Sequence, residues 1–173
     1  MLETIIVIVV AVIAIVLGIA TLKPNAFRVQ RSIDVNAPPE TIQPLITDFR
    51  RWAAWSPYER LDPAMAKNYG GAPSGVGAVY EWNGKKAGAG RMEILDATPA
   101  KVTIKLDFTK PMPAHNTAEF LFEPAGTGTA VTWAIFGPAP FMTKVFTTFV
   151  SMDKLVGKDF ETGLASLKRL AEQ

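Results

Sequence analysis

The amino-terminal residues limit what this chain can fold into more than any other part of the sequence. From Ile5 to Leu22, eighteen consecutive residues carry no charge, and sixteen of them are Ile, Val, Ala or Leu. A helix of that length extends about 28 Å, close to the roughly 30 Å of hydrocarbon in a bilayer. The run therefore predicts one membrane-spanning helix over residues 4–22, ending at Lys23 and Pro24.

A cleaved signal peptide is the competing interpretation of this run. Gly18, Ile19 and Ala20 have the small-x-small form of a cleavage site. Before the run, however, the only charged side chain is Glu3 and there is no basic residue, and the run is longer than the apolar core of a typical signal peptide. We therefore favour a membrane anchor over residues 1–24, followed by a folded domain over residues 25–173.

The charges that flank the run predict its orientation. Lys23, Arg28 and Arg31 follow the run, whereas Glu3 precedes it. Because basic residues stay preferentially on the cytoplasmic side of a membrane, we expect a single-pass protein whose domain lies in the cytoplasm.

The composition excludes several classes of function. The 173 residues include no Cys and one His, which rules out disulfides, thiol nucleophiles, iron–sulfur clusters and multi-histidine metal centres. Eighteen Lys and Arg against sixteen Asp and Glu, with no block of like charge, give no reason to expect a nucleic-acid surface. Without a phosphate-binding or dinucleotide-binding glycine motif, the sequence indicates neither a cofactor nor a metal.

Hydrophobic periodicity predicts an α+β domain. Phe27–Val35 alternates as a half-buried strand, and two short helices follow, one from Pro39 and one over Arg50–Trp55. Further strands are predicted over Val76–Trp82, Gly90–Asp96, Lys101–Thr109, Thr117–Glu123 and Thr129–Phe136. From Phe141 to about Ala171, apolar residues recur at helical spacing, which predicts one long terminal helix laid across an antiparallel sheet.

Four segments give this order of elements a family resemblance. They are Ile33–Pro38 before the first helix, Arg51–Tyr58, Gly75–Trp82 and Gly128–Trp133. With them, the sequence from about Phe27 to Glu172 resembles the START-like, birch-pollen-allergen-like superfamily, in its SRPBCC branch of polyketide cyclases/dehydrases and lipid-transport proteins. The resemblance implies a helix-grip fold, in which a curved antiparallel sheet wraps around the long carboxy-terminal helix.

The resemblance also implies a cavity between sheet and helix that receives an apolar or amphipathic molecule. The residues expected to line it lie in the inward phases of the strands and on the terminal helix: Tyr80, Trp82, Met92, Ile94, Leu106, Phe108, Phe120, Phe122, Trp133, Phe146 and Phe149. For each of them, ordinary core packing is the alternative role. Trp52 and Trp55 either cap the cavity mouth or form a structural corner of the helix pair, which is the favoured interpretation.

Arg31 and Tyr80 are the predicted polar contacts to a ligand. Arg31 stands in the apolar phase of the first strand and Tyr80 carries a hydroxyl on the predicted inner face, so together they would orient a carboxylate, phosphate or enol. The other role for Arg31, which is the favoured interpretation, is that it meets anionic lipid headgroups together with Lys23 and Arg28.

No acidic or histidine side chain is expected inside the cavity. His115 falls in a predicted loop, and the strand carboxylates lie mostly in the polar phases: Glu81, Glu93, Asp107, Glu119 and Glu123. A membrane-anchored carrier of a lipid or other hydrophobic small molecule is therefore the leading hypothesis. An acid–base enzyme of the polyketide cyclase/dehydratase kind comes second, and a regulatory partner protein without a ligand remains a third class.

Overall fold

The computed structural model describes residues 1–173, in which one helix precedes an α+β domain. The helices are α1 Leu2–Leu22, α2 Pro39–Thr47, a 3₁₀-helix Phe49–Ala54, α3 Pro57–Leu61, α4 Phe141–Phe149 and α5 Met152–Ala171. The strands are β1 Ala26–Val35, β2 Ala66–Gly71, β3 Ala78–Asn83, β4 Ala89–Thr98, β5 Lys101–Lys110, β6 Ala114–Ala125 and β7 Gly128–Pro138. This is the predicted helix-grip architecture.

Helix α1 is long and apolar enough to cross a membrane. It is exposed along nearly all of its length, and Ala20 is its one buried residue. The element it packs against is α4, and the Lys23 ammonium donates hydrogen bonds to the carbonyl and hydroxyl of Thr147 in that helix.

The seven strands form one antiparallel sheet in the order β1-β7-β6-β5-β4-β3-β2. Its pairing shifts by one residue between Ile94 and Asp96, which leaves Leu95 as an extra, exposed residue of β4. A second shift lies between Ala89 and Gly90. Bulges of this kind bend a strand and increase its twist, which favours a sheet curved around a helix.

Helix α5 lies on the concave face and supplies much of the core. Phe160, Leu164 and Leu167 are fully or almost fully buried along one face of α5. Their spacing of four and three residues puts them on one helical stripe, as the sequence predicts. The Ser151 hydroxyl accepts a hydrogen bond from the Lys154 amide at 3.3 Å and caps the start of this helix.

The terminal helix is not continuous, so the prediction of one helix from Phe141 to Ala171 was wrong. Val150 adopts an extended conformation between α4 and α5. Just before it, the hydroxyls of Thr147 and Thr148 bond back to the Lys144 carbonyl at 3.1 and 2.9 Å. Such side-chain bonds compete with the helical ladder, and Ser151 then begins a new helix as its cap.

The segment between the second helix and Gly75 contains two elements that the sequence does not predict. It contains α3, with Pro57 in its first turn, and the edge strand β2. Tyr69 is the only apolar or aromatic side chain of β2 that is even partly buried, so the strand lacks the alternation that marks a half-buried strand in a sequence.

Candidate functional site

A cavity of about 250 Å³ lies between the concave face of the sheet and the first half of α5. Seventeen of its twenty lining residues are hydrophobic, so the wall can receive an apolar molecule but offers it few hydrogen bonds. The first half of α5 contributes Met152, Val156 and Phe160, and Phe27 lies on the wall from the start of β1.

Six of the predicted ligand-binding residues line this cavity. They are Tyr80, Trp82, Met92, Leu106, Phe108 and Trp133. They come from four different strands, β3, β4, β5 and β7, and the sheet register brings them to one face: Tyr80 is opposite Met92, and Met92 is opposite Leu106. The inward phase of β3, of β5 and of the first part of β4 is therefore the predicted one.

Phe120 and Phe122 are buried in the core outside the cavity, and so is Ile94. Phe120 is covered by the indoles of Trp52 and Trp55, with ring centroids 6.2 and 6.1 Å away. These indole NH groups donate to the carbonyls of Ile46 and Leu45, each at 2.8 Å, which ties α2 to the 3₁₀-helix. The tryptophan pair thus forms a packed corner, and Trp52 also lies on the cavity wall.

Arg31 lies outside the cavity, on the surface between β1 and α5. Its guanidinium donates to Asp153 at 2.8 Å and to Glu161 at 2.7 Å. These hydrogen bonds, that to Asp153 above all, raise the pKa of Arg31, and the bond from Arg31 lowers the pKa of the Asp153 carboxyl. The guanidinium passes over Gly157, where a Cβ would overlap it. Both acids lie on α5, so Arg31 ties that helix to the sheet and does not face the cavity.

Phe146 and Phe149 also lie outside the cavity, on α4. Their exposed fractions are 49% and 72%. The helix break at Val150 separates α4 from α5, and α4 packs against α1 instead of continuing the buried stripe of α5.

Sequence reasoning missed an acidic residue inside the cavity, Glu59 of α3. Its side chain is buried and lines the cavity wall. The Tyr80 hydroxyl donates to Glu59 Oε1 at 2.6 Å, and the Lys67 ammonium of β2 forms an ion pair with Oε2. The expectation of a cavity without an acid was therefore wrong. The only signal in the sequence was a Glu two residues after Pro57, in a segment not predicted to be helical.

The Glu59 cluster changes the acidity of the tyrosines around it. Burial raises the pKa of Tyr80 far above its ordinary value, and the hydrogen bond to Glu59 raises it further because the phenol proton is held between two oxygens. The Tyr69 ring packs against that of Tyr80 in a tilted arrangement with centroids 5.2 Å apart, and burial likewise raises the pKa of Tyr69. Both phenols therefore stay protonated at neutral pH, as hydrogen-bond donors.

Replacing Tyr80 with Phe is expected to lower the free energy of unfolding by about 1.5–3 kcal/mol, the usual value of a hydrogen bond to a charged group. The substitution leaves a buried Glu59 oxygen without its donor. Denaturation of the full chain in detergent micelles, followed by tryptophan fluorescence, measures the change. Tyr69→Phe is the matched control, since no hydrogen bond involves the Tyr69 hydroxyl. Equal losses in both variants would contradict the assigned role of the Tyr80–Glu59 bond.

Two other polar atoms of lining residues are buried without a partner in the protein. They are Ser56 Oγ and Trp133 Nε1. Buried polar groups are nearly always hydrogen-bonded, so any bond that these two make comes from water or from a molecule in the cavity.

The remaining titratable groups outside the cavity form no metal site. His115 is exposed at the start of β6, and its Nδ1 lies 2.7 Å from Asp107 Oδ1. Chiefly because of this hydrogen bond, the pKa of Asp107 falls below its ordinary value. No three residues among His, Asp and Glu come close enough together to hold a metal ion.

The curved sheet, the gripped helix and the apolar cavity between them define a helix-grip protein of the START-like kind. In sequence, residues 26–172 match the family described as polyketide cyclase / dehydrase and lipid transport. The chain belongs to that family. No curated protein has a sequence that matches the chain.

Solved structures of low sequence identity share this fold. The KanY protein is 16% identical with a TM-score of 0.64, over 87% of this chain and 100% of its own. Protein CV1439 from Chromobacterium violaceum is 16% identical with a TM-score of 0.59, over 87% and 99%. DynU16, from the dynemicin biosynthetic locus, is 16% identical with a TM-score of 0.60, over 87% of this chain and 48% of its own. At such identities the likeness concerns the fold alone.

Proposed function

We propose that residues 25–173 bind a lipid or other hydrophobic small molecule in the cavity between the sheet and α5, for storage or transport. The observation that carries the proposal is the cavity wall, in which seventeen of twenty residues are hydrophobic. Tyr80, Trp82, Met92, Leu106, Phe108 and Trp133 are its proposed ligand contacts. Membership of a family that includes lipid-transport proteins supports the same function.

The size and polarity of the cavity favour one kind of ligand. A volume of about 250 Å³ lies just below the range of typical small-molecule sites, which begins at roughly 300 Å³. This favours a compact apolar molecule or a single acyl chain over a two-chain lipid. Glu59 and Tyr80 form one polar point of the wall, suited to a hydroxyl or amine on an otherwise apolar ligand.

We also propose that residues 1–24 anchor this domain to a membrane, with the domain on the cytoplasmic side. The support is the length and apolarity of α1, and the basic residues Lys23, Arg28 and Arg31 that follow it. An anchor keeps the cavity close to the source of a poorly soluble ligand and so raises its effective concentration there.

Replacing Ala118 with Phe is expected to expel the ligand, because this buried β6 side chain lies on the cavity wall and the added ring would occupy the cavity. The full chain is purified in nanodiscs of one synthetic lipid, extracted with organic solvent and analysed by mass spectrometry. A compound other than that lipid is expected from the wild type, and at least about tenfold less of it from the variant, because a misfit of even one methylene in an apolar pocket changes binding by about tenfold or more.

Ala130→Phe is the matched control, because Ala130 lies in the outward phase of β7 opposite Asp34 and Glu123. It should retain the wild-type amount of the compound. Equal recovery from both variants would place the compound outside the cavity. An empty wild-type chain, still empty after incubation with a total lipid extract, would overturn the carrier proposal and favour a partner-binding role.

The second candidate function is acid–base catalysis of the cyclase or dehydratase kind. It is favoured by one observation, the Glu59 carboxylate in an otherwise apolar cavity, held between Tyr80 and Lys67. A carboxylate in such a position can accept a proton from a bound substrate. If the chain is a dehydratase, Glu59→Gln should yield, after extraction, a compound heavier by one water than the wild type yields. The same compound from both chains would argue for binding alone.

A further inference from the structure

Helix α4 carries an apolar surface that neither the core nor the cavity uses. Phe141, Met142, Phe146 and Phe149 all have large exposed fractions, between 45% and 72%. Lys144 is the only charged residue between Glu123 and Asp153, and it is buried against the amide oxygen of Asn25. An exposed aromatic patch with no charge of its own marks a surface that is covered by something apolar.

The position of α4 along α1 indicates what covers this surface. In the last two turns of α1 and the residue that follows them, the partly or fully buried side chains are Val16, Ala20 and Lys23, which share one helical face. Helix α4 is the element packed against α1. Lys23 bonds to Thr147 in α4. Val16 lies seven residues before Lys23, or about 10 Å deeper along the helix axis. In a membrane spanned by residues 4–22, α4 therefore lies at the depth of the headgroups and the first part of the acyl chains.

The loops around α4 carry the charges and the apolar side chain expected beside a bilayer. Antiparallel pairing brings the start of β1, the β3–β4 turn and the β5–β6 turn to the same end of the sheet. There, Lys85 and Lys86 are exposed in one turn, and Lys110 and Met112 in the other. Basic side chains that flank apolar ones are typical of surfaces that rest on anionic lipid.

We propose that α4 is an interfacial membrane helix, with the side chains of Phe141, Met142, Phe146 and Phe149 inserted into the bilayer leaflet beside α1. This inference rests on the proposed membrane anchor. An amphipathic interfacial helix buries its apolar face about 5–10 Å into the headgroup and acyl boundary, which agrees with the depth that packing against α1 sets.

The consequence for the proposed ligand is a short path out of the bilayer. Only Val150 and Ser151 separate α4 from α5, and the first residues of α5 include Met152 and Val156 of the cavity wall. Phe27, also on the wall, follows Lys23 by four residues. The cavity therefore lies next to the leaflet that holds α4, and an apolar ligand crosses little or no water to enter it.

Single cysteines test the proposal on the full chain, which has no Cys of its own. The fluorophore NBD is attached to α4 in the variants Phe149→Cys and Met142→Cys. Two further variants place it elsewhere: Leu17→Cys on the exposed side of α1, and Thr127→Cys on the β6–β7 turn at the opposite end of the sheet. Each labelled chain is placed in nanodiscs of phosphatidylcholine and phosphatidylglycerol. Quenching by a nitroxide on the lipid acyl chain is compared with quenching by iodide in water.

We expect the lipid nitroxide to quench the two α4 labels several-fold more than the Thr127 label, and iodide to quench them several-fold less. If the lipid nitroxide quenches the Leu17 label but iodide quenches the α4 labels, the proposal for α4 is overturned and the anchor stands. Protection of the α4 labels from both quenchers would also overturn it, because a protein surface would then cover α4. A Leu17 label open to iodide would refute the anchor itself, and this inference with it.

Discussion

Replacing Trp133 with Ala is expected to lower the free energy of unfolding by about 3–5 kcal/mol, the usual cost of removing a large aromatic side chain from a core. Its indole is 3% exposed and stacks on Phe160 of α5, with ring centroids 4.0 Å apart and planes at 9°. On the sheet, it stacks on Phe120 at 5.2 Å. The substitution therefore removes the principal aromatic contact between the sheet and α5. Denaturant titration of the full chain in detergent measures the loss.

The matched control for this prediction is Phe136→Ala on the same strand. Phe136 lies in the opposite phase of β7 and is partly exposed. The Arg28 guanidinium lies over its ring, with Cζ 4.9 Å from the ring centroid. Removal of the ring should cost less than about 1.5 kcal/mol, since a partly exposed ring gains less from burial and a surface cation–π contact is worth about 0.5–1 kcal/mol. A Trp133→Ala chain as stable as Phe136→Ala would show that α5 is held mainly by other contacts.

Replacing Gly90 with Ala is expected to lower the free energy of unfolding by about 3 kcal/mol, near the upper end of the cost of overpacking. A Cβ at this position would lie 2.5 Å from the Asp107 carbonyl oxygen and would overlap the Trp82 ring. The carbonyl belongs to the neighbouring strand backbone, which cannot move without breaking the β4–β5 ladder. Trp82 would have to leave the cavity wall, so ligand retention should fall along with stability.

Gly70→Ala supplies the control, as a second glycine within a strand of the same sheet. The nearest atom to its added Cβ is the Val79 Cβ at 3.9 Å, an ordinary contact. Stability should stay unchanged or rise by about 0.4–1 kcal/mol, because Ala restricts the unfolded chain more than Gly does. If Gly90→Ala were as stable as Gly70→Ala and retained ligand equally, the close packing of Trp82 over β4 would not be needed for the cavity.

The strands that the sequence predicted best are those with one solvent-exposed face and one buried face. In β5, Val102, Ile104 and Leu106 are buried and alternate with polar residues, as the printed sequence indicates. Strand β2 was not predicted, because an exposed edge strand has no buried face to mark it, and Tyr69 is its only partly buried residue. The break after α4 was missed because the apolar spacing continues across Val150, although Ser151 is a good cap residue.

The same contrast holds for the cavity residues: those on regular strands were predicted, and the acid on the short helix α3 was not. Tyr80, Met92 and Leu106 line it because the β3–β4–β5 register keeps them in the inward phase. Glu59 was not predicted because its position depends on α3, a helix of five residues that closes over the sheet from a segment without strong periodicity. Its partners Lys67 and Tyr80 lie eight and twenty-one residues away in sequence, and only the chain fold brings them to one carboxylate.

The amino-acid sequence by itself determined the apolar first helix, the α+β order of elements and the inward phases of most central strands, because each of these depends on a local pattern of burial. The tertiary structure decided which of the buried residues face an open cavity and which face packed core. It also decided that Arg31 binds acids of α5, and that the aromatic residues of α4 lie outside the domain core beside α1. Those outcomes depend on contacts between distant segments, which no local pattern contains.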